Sequence, residues 1–211
     1  TKIYQRLTGT LLLRRSQKEN LRRISSAGAH LLKLINEVLD LAKIESGKIK
    51  LSMEPVDIGL LINDLISTIK PLADEHGVSL YYKKSSNDRL IAEVDSLRFK
   101  QVALNLISNA IKFNKPNGSV EISINLQNEG SVRLGIKDSG KGIPANHREK
   151  LFKPFERLDA KSELVEGTGI GLAISKHFVE LMSGSIGFES VVGEGSFFFV
   201  DMPVSDKTPL Q

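Results

Sequence analysis

Apolar residues return at alternating steps of three and four between residues 17 and 46: Leu21, Ile24, Gly28, Leu31, Ile35, Val38 and Ala42. That spacing predicts one helix with a heptad seam, widened by Leu32 and Leu39 on the adjacent edge. Lys18, Glu19, Arg22, Lys33 and Glu37 fill much of the remaining surface. A stripe this long, with no compact domain before it, needs other helices to cover it. Residues 1–15 and a second copy of the chain would supply them as a bundle; a helix lying on the chain's own globular part is the alternative. Glu45-Ser46-Gly47-Lys48 ends the helix, since glycine suits the position past a helix end and lysine its negative pole.

Ile49, Leu51 and Met53 alternate with polar residues, as a short strand would. After Pro55, Asp57 can cap a helix whose apolar face is Ile58, Leu61, Ile62, Leu65, Ile66 and Ile69, and Pro71 is expected to kink or shorten it. Strands are predicted at Val78–Lys83 and Leu90–Val94, then a helix from an Asp95 cap through Phe113. Pro116-Asn117-Gly118 reads as a turn. Val120–Leu126 and Val132–Lys137 pair around Asn128-Glu129-Gly130, and Ser185–Val191 and Ser196–Met202 pair around Val192-Gly193-Glu194-Gly195. Residues 143–166 carry no long periodic element and read as a lid. A helix follows from about Gly169 to Met182. Strands and helices without regular βαβ alternation predict an α+β fold, with helices on one face of a mixed sheet.

With 211 residues, 40% hydrophobic and 26% charged, the chain can hold one core and a smaller element. No apolar run reaches the roughly 20 residues of a membrane helix, and the N-terminus lacks a secretory layout. Zero cysteine excludes disulfides and thiolate metal sites and fits a reducing compartment. The net charge of +4 does not imply nucleic acid. Basic residues are interleaved with acids, and aromatics are only 6% with no Trp, a poor supply for base stacking. Such a surface equally suits anionic phosphates or an acidic partner protein.

Three stretches carry the candidate chemistry. Asn105, Asn109 and Lys112 share one helix face, opposite Val102, Leu106, Ile107 and Ile111. Amides beside a core are costly unless they find partners, and an amide oxygen is a hard ligand suited to magnesium alongside substrate phosphates. Asp138 follows an apolar strand and opens Asp138-Ser-Gly140-Lys-Gly142. Ionised, it is an acceptor placed for a donor such as an exocyclic amine, with glycines that allow a flat ligand close approach; alone, the stretch is also a common turn. Gly167-Thr168-Gly169-Ile-Gly171-Leu172 opens a helix, whose free N–H groups and positive pole bind anions. It is neither a GxxxxGK[ST] loop nor a dinucleotide fingerprint.

In this order the stretches resemble the ATP-binding catalytic domain of sensor histidine kinases, within the wider gyrase, heat-shock chaperone and mismatch-repair ATPase superfamily. Asn105–Phe113 looks like its N box, Asp138–Gly142 its first glycine box, Phe152-Lys-Pro-Phe155-Glu-Arg157 its F box, and Gly167–Leu172 its second glycine box. Met182-Ser-Gly184 and Gly193-Glu-Gly195-Ser196-Phe197 fit the terminal pattern. The resemblance covers about residues 55–204. It implies a two-layer α/β sandwich of the Bergerat type, with ATP between the N-box helix and a lid. Asn109 would bind magnesium with Asn105 helping, Lys112 would touch phosphate, and Phe113 would lie near adenine. Asp138 would take the adenine amine, with Gly140, Gly142 and Ile143 around the base. Gly167, Thr168, Gly169, Gly171 and Leu172 would form the phosphate side. Phe152 and Phe155 would anchor the lid (plain core packing is the alternative), and Arg157 would reach the γ-phosphate.

Residues 17–53 resemble the second helix of the dimerisation and histidine-phosphotransfer domain, implying a homodimer through a four-helix bundle. The expected organisation is 1–53 partial helical region, 54–204 ATP-binding domain and 205–211 tail. The phospho-acceptor motif is absent: His30, His76, His147 and His177 all lack its flanks. His30 reads as structural on the bundle helix. The expectation is a cytoplasmic fragment beginning after the acceptor, with natural loss as the alternative, and with no membrane contact of its own. A response-regulator receiver domain is the implied partner. Three functions remain in view: a kinase core, a hydrolytic superfamily ATPase, and a nucleotide-gated non-catalytic module. The hydrolytic branch carries a Glu four residues before the magnesium Asn; Asn105 stands there, an amide unable to act as general base.

Overall fold

The computed structural model describes residues 49–83, 90–127, 130–156 and 168–206 without interruption, and, before them, residues 17, 20–21, 24–25, 27–28, 31–32, 34–44 and 46–47. The chain divides into two compact units, Thr1–Ser46 and Gly47–Gln211. In the first, every described residue from 17 to 44 is helical, with an unbroken run, α1, at 34–44. The predicted seam is open on the single chain: Leu21, Ile24, Leu31, Leu32, Ile35, Val38 and Leu39 are 47–69% exposed.

The second unit begins with two aspartates that each start a helix. Strand β1 (Glu54–Asp57) ends on Asp57, whose Oδ1 accepts the Leu60 N–H at 3.1 Å and caps α2 (Ile58–Glu75). After β2 (Ser79–Lys83) and β3 (Ile91–Val94), Asp95 caps α3 (Ser96–Lys112) through the Arg98 N–H at 3.0 Å. Then come β4 (Ser119–Gln127), β5 (Ser131–Asp138), the single turn α4 (Ala145–Arg148), α5 (Gly171–Leu181), β6 (Ser185–Val191) and β7 (Gly195–Pro203).

The main sheet has the order β2-β4-β5-β7-β6; only its β2–β4 pair is parallel. Strands β1 and β3 form a small antiparallel sheet of their own. Period-two alternation puts Val120, Ile122 and Ile124 of β4 and Val132, Leu134 and Ile136 of β5 on one buried face. Helices α2, α3 and α5 cover it, inserting Ile62, Phe99, Val102, Leu106, Ile107 and Phe178, each at most 1% exposed. Each such side chain contributes roughly 1.5–3 kcal/mol by leaving water. The result is the expected two-layer α/β sandwich. On the other face Arg133 grips both oxygens of Asp201 at 2.6 and 2.7 Å and lies 4.1 Å over the Phe199 ring.

One expectation fails, and the shortening half of another, for local reasons. Residues 49–53 are not a strand, because the small sheet stops at the Glu54–Val94 pair. The next residue on the partner side is Asp95, and its Oδ2 takes the Ser52 N–H at 2.9 Å in place of a ladder bond. Pro71 does not shorten α2, which continues to Glu75. Proline forfeits one helix bond, but continuing buries Ala73, 1% exposed, on the same face as Ile69. Residues 145–148 add a helical turn inside the segment read as a lid.

Asp95 therefore serves two N–H groups, Arg98 and Ser52, and Asp57 serves one. Urea unfolding is expected to show Asp57→Ala costing about 1 kcal/mol and Asp95→Ala about 2 kcal/mol at unchanged slope. Equal costs would mean that the Ser52 bond contributes nothing.

Candidate functional site

The site arises where the sheet's apolar rungs end. Across β5, β7 and β6, Ile136 faces Phe198 and Phe198 faces Phe188; the next rung of the same face is Asp138, Ser196 and Ser190. The alternation that builds the core thus ends on a carboxylate. Asp138 is 8% exposed. Its Oδ1 accepts the Gly140 N–H at 2.8 Å and the Ser196 N–H at 3.2 Å. No buried side-chain oxygen among the described residues lacks a partner, so Oδ2, which takes no bond from them, meets the open space beside it. Burial pushes the Asp138 pKa above the ordinary carboxylate value, and the two N–H bonds offset part of that rise.

That open space is a cleft between the sheet and α3. Six sequence-predicted residues line it: Asn109, Phe113, Asp138, Gly142, Ile143 and Leu172. Ala110, Lys141, Leu151, Ser196 and Phe198 also line it and were missed. Ala110 and Phe198 read as ordinary core positions, and Leu151 sits where no period was visible. Ser196 did carry a signal, as the polar residue after Gly193-Glu-Gly195 on an apolar strand. A second, more open hollow is lined by Lys112, Phe113, Asn114, Lys115, Gly140, Lys141 and Gly193. Phe113 and Lys141 border both spaces, with the ammonium 6.0 Å from the ring centroid.

Asn105 is placed differently. Its Nδ2 donates to Ser175 Oγ at 2.9 Å, tying α3 to α5. A Cβ on Gly171 would stand 2.5 Å from the Asn105 Oδ1, so the absence of a side chain there lets the two helices close on the amide. One of the two costly amides thus has a protein partner, while Asn109 lines the cleft. No side chain among the described residues caps α5, and the donors of a helix's first turn suit an anion. Thr168 Oγ1 accepts the Ile170 N–H at 3.1 Å just before it.

The segment after Asp138 is sewn to the β6–β7 turn. Lys141 O accepts the Gly193 N–H at 2.9 Å, and the Ile143 N–H donates to Ser190 Oγ at 2.8 Å. Gly142 has φ +70°, and a Cβ there would collide with the Val191 carbonyl. Phe152 lies 6.0 Å from Phe188, half-buried. Phe155 is 65% exposed, which is not core packing, and its N–H bonds Gly169 O at 2.9 Å. Arg157, Gly167 and His30 lie outside the described residues. Among the described residues no cluster of three His, Asp or Glu could cage a metal.

Known proteins resemble this chain in both sequence and fold. A family model described as histidine kinase-, DNA gyrase B-, and HSP90-like ATPase matches residues 94–206. The circadian input-output histidine kinase CikA of Synechococcus elongatus is 36% identical over 189 residues, 89% of this chain and 25% of that protein. The chain therefore spans about a quarter of the length of the curated CikA relatives it matches. Among solved structures, full-length ShkA in complex with AMPPNP superposes with a TM-score of 0.76 at 31% identity, over 88% of this chain and 38% of that one. The nucleotide-free catalytic domain of histidine kinase ThkA gives 0.63 at 27% identity, over 72% of this chain and 96% of that one.

Because the Asp138 pKa is raised in the fold, the native state holds its proton to higher pH than the unfolded chain does. Stability is therefore lost as pH rises from the unfolded carboxylate value through the raised native one, and the penalty is fully present above both. Asp138→Asn, which keeps the Oδ1 acceptor, is expected to gain stability relative to the wild type across that window in denaturant titrations at stepped pH. A difference that does not change with pH would show that the carboxylate is not desolvated.

Proposed function

Since the chain belongs to the histidine kinase-, DNA gyrase B- and HSP90-like ATPase family, we propose that it is the ATP-binding catalytic core of a two-component sensor histidine kinase. It would donate the γ-phosphoryl group of ATP to a histidine not recognisable in this chain. The observation that carries the kinase reading over the hydrolytic one is Asn105. An amide bonded to Ser175 occupies the place where a hydrolase needs a carboxylate to take a proton from water. Phosphoryl transfer needs positioning and charge neutralisation instead.

In this reading the adenine amine meets Asp138, with Gly142, Ile143, Leu151 and Phe198 forming the apolar walls of the base pocket. Phe113 closes one side. The phosphates extend toward Lys112 and the open N-terminus of α5 at Gly169–Leu172. Gly140 shapes the turn below the base, and Phe152 and Phe155 flank the segment that closes over the ligand. Arg157 and Gly167 keep the roles that the resemblance implies, reaching the γ-phosphate and opening the glycine run. Magnesium fits the donor set only as an ion carried by the triphosphate, since no caging cluster exists among the described residues. Asn109 offers it an amide oxygen, and Asn105 would contribute only through the oxygen left beside its bond to Ser175. The ion would neutralise phosphate charge.

The exposed apolar stripe from Leu21 to Leu39 supports a homodimer through the helical unit, because a stripe at heptad spacing is what a partner helix covers. A response-regulator receiver domain would then take the phosphoryl group from the histidine. No helix among the described residues is long and apolar enough to cross a membrane. Dependence on ATP and the absence of cysteine support a cytoplasmic setting for this part of the protein.

Calorimetry is expected to show ATP–magnesium binding to the 211-residue chain, weakened by about 1–3 kcal/mol in Asp138→Asn. Unchanged affinity would remove Asp138 from the site. Incubated with labelled ATP, the chain is expected to take up no acid-labile phosphate; stable labelling would point to His30 as an acceptor. Rapid release of inorganic phosphate would replace the kinase reading with the hydrolase.

A further inference from the structure

We infer that Ser190, outside every sequence motif singled out above, is a positioning residue that holds residues 143–148 against the base-binding carboxylate. The inference rests on the nucleotide reading of the cleft. Ser190 does not line the cleft, but it is the outer member of the polar rung Asp138–Ser196–Ser190. It is only 9% exposed. Its hydroxyl accepts the Ile143 N–H at 2.8 Å, approaches Gly195 O at 2.9 Å and lies 3.0 Å from Ser196 Oγ. Its carbonyl receives the Arg148 guanidinium from α4. Ser190 therefore holds both ends of residues 143–148, one by side chain and one by backbone.

The connection runs inward as well. Ser196 gives its N–H to Asp138 Oδ1, and Ile143, 5% exposed, lines the cleft. The one proton of the Ser190 hydroxyl has two acceptors in reach. When it goes to Gly195 O, Ser196 Oγ–H can donate to Ser190. When it goes to Ser196, the Ser196 proton is released toward the cleft that Ser196 lines. The hydroxyl thus sets both where Ile143 stands and whether Ser196 presents a donor or an acceptor to the ligand. An apolar residue at 190 would leave the buried Ile143 N–H without its partner.

Hydrogen exchange and nucleotide titration of the full chain test this with Ser190→Ala and Ser190→Thr. Without nucleotide, Ser190→Ala is expected to speed exchange of the Ile143 amide while amides in the middle of β4 and β5 keep their protection. With ATP–magnesium, the same variant is expected to bind about tenfold more weakly, and Ser190→Thr, which keeps the hydroxyl, is expected to restore both. Unchanged Ile143 exchange in Ser190→Ala overturns the inference, as does failure of Ser190→Thr to restore protection when β4 and β5 remain protected. If the wild type binds no nucleotide, the reading of the cleft falls, while the exchange result still decides whether Ser190 holds the segment.

Discussion

Two backbone N–H groups pointing at one carboxylate oxygen make the cleft possible. Asp138 is nearly buried, and a carboxylate moved out of water without donors would shed its charge or fail to stay there. Gly140 supplies one donor from the turn after β5, and Ser196 supplies the other from the neighbouring strand. Because Oδ1 absorbs both, the second oxygen can face the cleft. The bonds constrain three pieces of chain at once: the end of β5, the glycine turn, and the start of β7. Removing the glycine turn or slipping β7 would expose or neutralise the same group.

Helix α3 organises the rest by dividing its length into different tasks. Asp95 ties its beginning to Ser52, Asn105 locks its middle to α5 through Ser175, and Asn109 and Phe113 border the cleft near its end. The opposite face is continuous core. Past the helix, Asn114 bonds the carbonyls of Ala110 and Ser119 and accepts from Ser139, so the turn into β4 is held beside Asp138. One helix therefore registers these polar groups against the sheet.

Much of this was legible in the residues. Strict alternation in Val120–Ile124 and Val132–Ile136 forecast the central hairpin and its buried face, and Asp57 and Asp95 forecast two caps. The three polar stretches forecast most of one cleft wall. What escaped depended on partners distant in sequence. Ile49–Met53 has the pattern of a strand but no edge to pair with. Pro71 was judged by local cost, while the gain came from burying Ala73. Asn105 and Asn109 look equivalent on a helical wheel, and only the position of Ser175, seventy residues on by its hydrogen bond, separates them. Ser190 and Ser196 were invisible as a pair, because a rung across three strands has no contiguous signature.

That rung also limits how the chain can change length. Side-chain direction in a strand reverses at each residue, so a one-residue slip of β7 against its neighbours would turn Ser196 to the far face and bring Phe197 onto the face of the carboxylate. The short β6–β7 turn, exposed and at first sight the easiest place in the sheet to tolerate an insertion, can therefore take an added residue only by looping it out, with the register of β7 and the Gly193 bond to Lys141 both kept.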